Sequence, residues 1–456
     1  MRLGLGLSAD TITSQKVGSG FTGLLDTYTG AVSAYSVRRL SGSYNGSSMK
    51  VRRSSDDALQ DIGFDSNGNL DTTALLAFVG TEKDIFTSDF PNGTSAGSGD
   101  GELGTTKTTL TAPSSIGGQT DALKITCDGS TQHYDMRVKF MENGQKHNVS
   151  FEYYIPSGNS VVGGIRLEDF TGSVKTFTTA DAWTSVTLTN EVADNTILRF
   201  FAANSAGSKN IGAGVTEAFY LRNLSVSQTS ADGTVNILYD QTGNNDLANG
   251  SASQQPKIVE VNSVTTIGGE TAFKFNDAEF LQKTSATTNW VADSNLSIFS
   301  VFSVTDYTAA SDADRQVLYN ISGDVVASAK GDTVVAMVRS DQLRIGFRDE
   351  AGGGFTKKAG FKSAEIGAFD DTQVLTSSIY DSSSTLTSTL NASTNGTETG
   401  NPDGNRAANT FTIGALHNGA KTLTGFIQEL VIWNSDQTSN RGNIAGDINT
   451  YFDIYS

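Results

Sequence analysis

The sequence predicts an all-β protein of stacked antiparallel sheets. Three observations carry this. From about residue 105 to 435, short Thr/Ser/Val-rich runs alternate polar and apolar residues, the period of a half-buried strand. Clusters of Gly, Asn and Asp separate those runs. The chain keeps 24 Phe, 13 Tyr and 37% hydrophobic residues while only 18% of it is charged, so a core can form beneath a surface of Thr, Ser, Asn and Gly.

Taken in order, residues 1–20 alternate weakly (Leu3, Leu5, Leu7, then Ser and Thr) and read as an extended arm. Such an arm can dock on its own chain or add to a neighbour's sheet. In 21–40, Leu24, Leu25, Tyr28, Ala31, Ala34 and Tyr35 fall near helical spacing, with Gly30 against it. Residues 48–53 read as a strand and 61–69 as a turn-rich loop. Leu70 to Val79 reads as a short helix with Asp71 as its cap. The Gly/Ser/Thr-rich stretch 91–121 reads as a boundary. Beyond it, ALKITC, HYDMRVKF, KHNVSFEYYI, VGGIRLED, WTSVTLTN, ILRFFAA and AFYLRNLSVSQ are strand-like. Short strands at this spacing predict a jelly-roll sandwich between about 100 and 230. A final block opens with VNILYDQTGNNDLANG at 235–250, and further strands are expected at 271–275, 296–305, 315–321, 333–338, 342–348, 373–380, 410–415 and 425–433. Ile444, Ile448, Tyr451 and Phe452 mark a closing amphipathic helix.

At 456 residues the chain has room for two or three domains. The formal charge of −17 argues against nucleic acid as a partner. The one basic cluster (Arg38, Arg39, Lys50, Arg52, Arg53) is followed directly by Asp56 and Asp57, and pairing with local acids is its expected role. The single cysteine, Cys127, excludes an intrachain disulfide and reads as a buried thiol in a strand. No run approaches the eighteen apolar residues of a membrane span, and the N-terminal pattern is not that of a signal peptide.

Residues 235–456 resemble the concanavalin A-like, laminin-G-like sandwiches. The resemblance lies in YDQTGNNDLANG, QPKIV, GGETAFKFNDAEFL and GFIQELVIWN. The stretch LDTYTGAVSAYSVRRLSG through DIGFDSNGNLDTTALLAFVG is similar to the lead-in of that domain in many bacteriophage virion proteins. It also resembles the opening of the fungal arabinofuranosidase catalytic domain. The central block, with HNVSFEYYIPSGNS, WTSVTLTN and AFYLRNLSVSQ, resembles family 4/9/22-like carbohydrate-binding modules. In the relatives the lead-in runs almost directly into the later strands; here residues 91–232 intervene. The resemblance therefore implies insertion. A discontinuous concanavalin A-like domain spans 21–90 and 233–456, an inserted jelly roll 91–232, and the arm 1–20. Insertion at an exposed loop is physically undemanding.

Chemistry is sparse. A glycosidase needs two carboxylates roughly 5.5 Å or 6.5–9.5 Å apart. Glu168, Asp169, Asp341, Asp349, Glu350 and Glu429 are candidates, and none sits in a distinguishing motif. Glu429 reads as a structural carboxylate at a sheet rim. The arabinofuranosidase's vicinal cysteines have no counterpart here, so its catalytic residues are not carried over. His133, His147 and His417 lie far apart, which predicts no zinc site. Asp240, Asn244, Asn245 and Asp246 offer oxygens of the kind calcium takes, but a hydrogen-bonded turn with Asp240 accepting from backbone amides is preferred. Tyr239 is expected in the core.

Sugar binding needs aromatic platforms with polar neighbours. Tyr153, Tyr154, Trp183, Tyr220, Trp290 and Trp433 are the aromatics considered; Tyr153, Tyr154 and Trp183 are the candidate carbohydrate-binding residues. Trp183 is also a candidate core anchor. Tyr153 and Tyr154 are adjacent on a strand and must face opposite sides. The expectation is a structural component of a bacteriophage particle (tail, fibre, baseplate or capsid surface), assembled in the bacterial cytoplasm and without enzymatic activity, metal or cofactor. Its partners would be other virion proteins, further copies of itself and, in the alternative reading, a host receptor or polysaccharide. A glycoside hydrolase is the third reading. No membrane partner is expected.

Overall fold

The computed structural model describes residues 21–90, 101–130, 133–243, 245–284, 295–305, 315–322, 332–339, 342–348, 355–362, 371–381, 385–399 and 410–456. The arm predicted at 1–20 lies outside them, as do Asn244, Trp290, Asp341, Asp349 and Glu350. The protein is all-β and multi-sheet, and its named strands pair antiparallel throughout. Two hydrophobic cores organise it. One gathers residues from Leu24 to Val79 and from Ala231 to Phe452; the other gathers residues from Ile85 to Val226.

Around the first core runs one continuous, near-barrel antiparallel network. One leaf follows the order Ala31–Ser36, Thr424–Trp433, Leu296–Val304, Val374–Tyr380, Thr385–Leu390 and Ser393–Thr399. The other begins Leu59–Ile62, Met49–Arg53, Gly233–Leu238 and continues through Leu281–Lys283, Thr410–Ile413 and Gln316–Ser322 to Phe355–Lys362. Phe273–Asn276 and Lys257–Glu260 bridge the leaves. The lead-in thus supplies strands to sheets whose other members lie hundreds of residues later.

Two local expectations hold and one fails. Helix Thr72–Val79 is capped by Asp71, whose carboxylate accepts from Ala74 N at 2.9 Å. Helix Arg441–Phe452 buries Ile444, Ala445, Ile448 and Phe452. The helix suggested across 21–40 is only Leu24–Thr27. Gly30 turns the chain at φ +83°, and Ala31–Ser36 becomes a strand paired with Thr424–Trp433. Ladder pairing with a distant strand overrides a weak helical period there.

The second core lies between two sheets. One has the order Ser173–Phe177, Gly164–Phe170, Ile197–Ala203, Asp135–Lys139, Leu103–Thr106. The other has Thr184–Val192, Lys146–Tyr154, Ala218–Gln228, Gln119–Cys127, Thr108–Ile116, with Lys83–Ser88 also paired to Ala218–Gln228. Two sequence assignments shift. Residues 103–116 are sandwich strands rather than a boundary, because Thr and Ser carry an edge strand that needs only a few apolar contacts, here Leu103, Leu110 and Ala112 against the core. Lys83–Ser88, assigned to the lead-in, buries Ile85 and Phe86 in the second core, so the chain crosses between bodies at 80–82.

The crossings are polar. Asp232 Oδ1 accepts from Gln145 Nε2 and Val261 N, both at 2.9 Å, and its Oδ2 lies 2.7 Å from Lys257 Nζ. Ser54 and Asp232 exchange two hydrogen bonds of 2.9 Å. Asn262 donates to Thr229 O and accepts from Ala231 N.

Candidate functional site

The site is built on the outward face of the sheet containing Lys146–Tyr154. Strict alternation along that strand sends His147, Val149, Phe151 and Tyr153 inward, and Asn148, Ser150, Glu152 and Tyr154 outward. Tyr153 is 2% exposed, packs near Phe151 and Phe177, and accepts a hydrogen bond from Thr179 N. It belongs to the core and leaves the binding set. Tyr154 and Trp183 are half-buried on the outer face, with ring centroids 5.6 Å apart. Tyr220, directly opposite Tyr154 in the register at 6.5 Å, is buried with Ala122 and Ala218 and supports the pair from below rather than facing solvent.

Polar side chains frame this row. Arg222 lies over Trp183, its Cζ 5.0 Å from the ring, and is held by Glu152 and, at 3.6 Å, Asp121. Stacking of a guanidinium on an indole is favourable. It also occupies one face of Trp183, so the ring surface left for a ligand is that of Tyr154 and the uncovered part of the indole. Tyr154 Oη donates to Asp181 Oδ1 at 3.4 Å; burial and the neighbouring Asp181 carboxylate raise the phenol's pKa. Lys124 stands opposite Tyr220 on the next strand. The hairpin tip leans over the rings. Trp183 Nε1 donates to Ile116 O at 3.2 Å, and a Cβ on Gly117 would meet Tyr154 Cε2 at 2.7 Å. Gly117 also has φ +56°, so this close approach suits glycine twice over.

The sequence reading missed Arg222, Glu152, Asp181 and Gly117. A signal was present for two of them: Glu152 and Arg222 each lie two positions from Tyr154 and Tyr220 on a strand, on the same face by the strand period, whereas Asp181 sits in a bend at φ +53° that no strand period reads. Trp433 is fully buried, its Nε1 donating to Tyr28 O at 3.1 Å.

Other candidates are engaged elsewhere. Glu429 is fully buried and bonds Arg38 through both oxygens, at 2.8 and 3.0 Å, while Arg38 also reaches Asp447 and stacks near Tyr451. Arg53 pairs with Asp56, Arg52 with Asp57 and Lys50 with Asp61, the local neutralisation expected of the basic cluster, whereas Arg38 pairs with the distant Glu429 and Arg39 donates to the carbonyls of Ser41 and Gly42. Glu168 pairs with Arg166 and Lys209, and Asp169 with Arg199. Asp240 accepts from Ala34 N, Thr242 N and Asn245 N at 2.8–3.1 Å, the turn role preferred for it. Tyr239 departs from expectation: it is half-buried and its hydroxyl reaches Asp61 at 2.7 Å. Burial pushes the Cys127 thiol up to about 12, with Glu217 adding to it, and pushes the enclosed His147 down to about 4. Among the described residues no three His, Cys, Asp or Glu side chains are grouped to hold a metal, and no helix is long and apolar enough to cross a membrane.

No protein-family model matches the chain, and no curated protein matches it. Among solved structures it is similar to the botulinum neurotoxin serotype D binding domain, at 12% identity over 42% of this chain and 49% of that one, TM-score 0.29. It is similar to the serotype D ligand-binding domain in complex with N-acetylneuraminic acid, at 10% identity over 44% and 48%, TM-score 0.29. It is also similar to a variant of the NanB sialidase from Streptococcus pneumoniae, at 15% identity over 38% and 26%, TM-score 0.30. The matches span half or less of those chains, and likeness this weak assigns neither a family nor a ligand.

Proposed function

We propose that this is a receptor- or polysaccharide-binding display protein of a bacteriophage particle, in which a concanavalin A-like sandwich carries an inserted jelly roll that binds glycan. The observation that carries the binding reading is the pair Trp183–Tyr154 on an outward sheet face, backed by the buried Tyr220 and framed by Asp181, Glu152, Arg222 and Lys124. An aromatic ring matches the apolar face of a sugar, and surrounding carboxylates and cations match its hydroxyls. Placement on a tail, fibre, baseplate or capsid surface rests on the sequence resemblance of the lead-in. Binding rather than hydrolysis is supported by the engagement of Glu168, Asp169 and Glu429 in ion pairs.

The test is a bacterial-glycan array with the intact protein, followed by Tyr154→Ala on any hit. Binding that falls about tenfold or more, with the circular dichroism spectrum unchanged, supports the site. Silence across the array, or binding indifferent to Tyr154→Ala, refutes it. Release of reducing sugar from envelope material would replace the binding reading with a hydrolase. Detection of the chain in purified virions checks the placement.

A further inference from the structure

We infer that the strand Thr184–Val192 is a pairing edge for a second copy of this chain, joining two jelly rolls into one continuous sheet about a two-fold axis at Thr187. Among the described residues this nine-residue strand pairs along one side only, with Lys146–Tyr154. One end of its other side is closed: Thr171 N donates to Val192 O, the register shifts between Leu188 and Glu191, and Asn190 has φ +55°. From Thr184 to Thr189 the outward backbone groups form a template for another strand.

The remaining sandwich edges are guarded. Thr108–Ile116 contains Pro113 and two register shifts. Leu103–Thr106 has only four residues. Ser173–Phe177 is short and carries Lys175. Lys83–Ser88 carries Lys83 and Asp84, and Gly101 donates to its Ile85 O. From Thr184 to Asn190 there is no charge and no proline.

The second copy is the occupant because this edge is complementary to itself. Antiparallel pairing centred on Thr187 sets Val186 against Leu188 twice and Ser185 against Thr189 twice. Val186 and Leu188 are half-buried at the rim of the core, whereas Ser185, Thr187 and Thr189 are exposed on the outer face. Apolar would meet apolar and hydroxyl would meet hydroxyl, with no like charges opposed. A chain of formal charge −17 repels its copies over most of its surface, so an uncharged edge is where close approach costs least. On the same flank Val174 is 52% exposed, and Lys175, 2.7 Å from Glu191, ties the two edges together. The outer faces of both copies would lie on one side, with the two Trp183 positions roughly 27 Å apart along the strands. Two platforms so placed would bind a repeating ligand with avidity.

Sedimentation equilibrium of the intact protein should show a concentration-dependent dimer. Thr187→Lys, which sets two ammonium groups face to face, should raise its dissociation constant about tenfold or more while leaving the circular dichroism spectrum unchanged. Thr187→Cys should form a disulfide-linked dimer under mild oxidation, since Cys127 is buried. A monomer at every attainable concentration overturns the inference. So does a dimer that Thr187→Lys leaves intact, or one abolished only by deleting residues 2–15, which would make the arm the pairing element.

Discussion

At the scale of single residues, two carboxylates carry more than their neighbours. Glu429 neutralises a guanidinium that is itself nearly enclosed, joining the lead-in to the last strand and, through Asp447, to the closing helix. Removing one member of such a pair leaves a buried charge uncompensated, at a cost of about 3–5 kcal/mol. Glu429→Gln should therefore lower the melting temperature clearly, and the double variant Glu429→Leu with Arg38→Met should recover much of the loss. Glu217 is the second. Burial raises its pKa, but the N–H groups of Val162, Val161 and Ser160, with the Ser160 hydroxyl, outweigh that, and the net shift is downward from 4.5. A depressed folded pKa means the stabilisation is present above pH 4.5 and is lost as pH falls through the lower folded value. Chemical denaturation at stepwise lower pH should show wild type losing an increment that Glu217→Gln lacks; parallel curves would remove Glu217 from the account.

At the scale of elements, one strand separates folding from binding. Tyr153 and Tyr154 are neighbours in sequence and lie on opposite faces of Lys146–Tyr154. Tyr153→Ala should cost about 3–5 kcal/mol through the cavity it opens. Tyr154→Ala should cost far less stability and should affect ligand. Equal destabilisation by the two variants, measured by denaturant midpoint, would contradict the assignment of faces. That the two tyrosines oppose each other was legible from the period of two, and so was which one faces the core, since Tyr153 falls in register with Val149 and Phe151 and Tyr154 with Asn148, Ser150 and Glu152. Which aromatics Tyr154 meets was not, because that depends on which strands become its neighbours. The same limit explains Ala31–Ser36: its residues fit a helix locally, and only the partner Thr424–Trp433 makes them a strand.

At the scale of the whole molecule, two cores meet through a polar junction centred on Asp232. Residues 82–229 contain the second core entire, so this segment should fold when expressed alone, with cooperative unfolding by circular dichroism. Asp232→Ala should weaken the coupling between bodies and separate their calorimetric transitions. A single unchanged transition would show that the junction depends on other contacts, such as Asn262 with Thr229 and Ala231.

By itself the sequence determined that this chain is all-β, where most of its strands and its closing helix lie, and that Lys50, Arg52 and Arg53 answer to nearby acids. Those properties follow from side-chain period, turn chemistry and local charge, which are written along the chain. Tertiary structure alone decided that Arg38 meets Glu429 across 391 positions, that Tyr154 lies beside Trp183 and Tyr220, and that Gly117 closes over Trp183. Each depends on which strands become neighbours, and a period of two is blind to that.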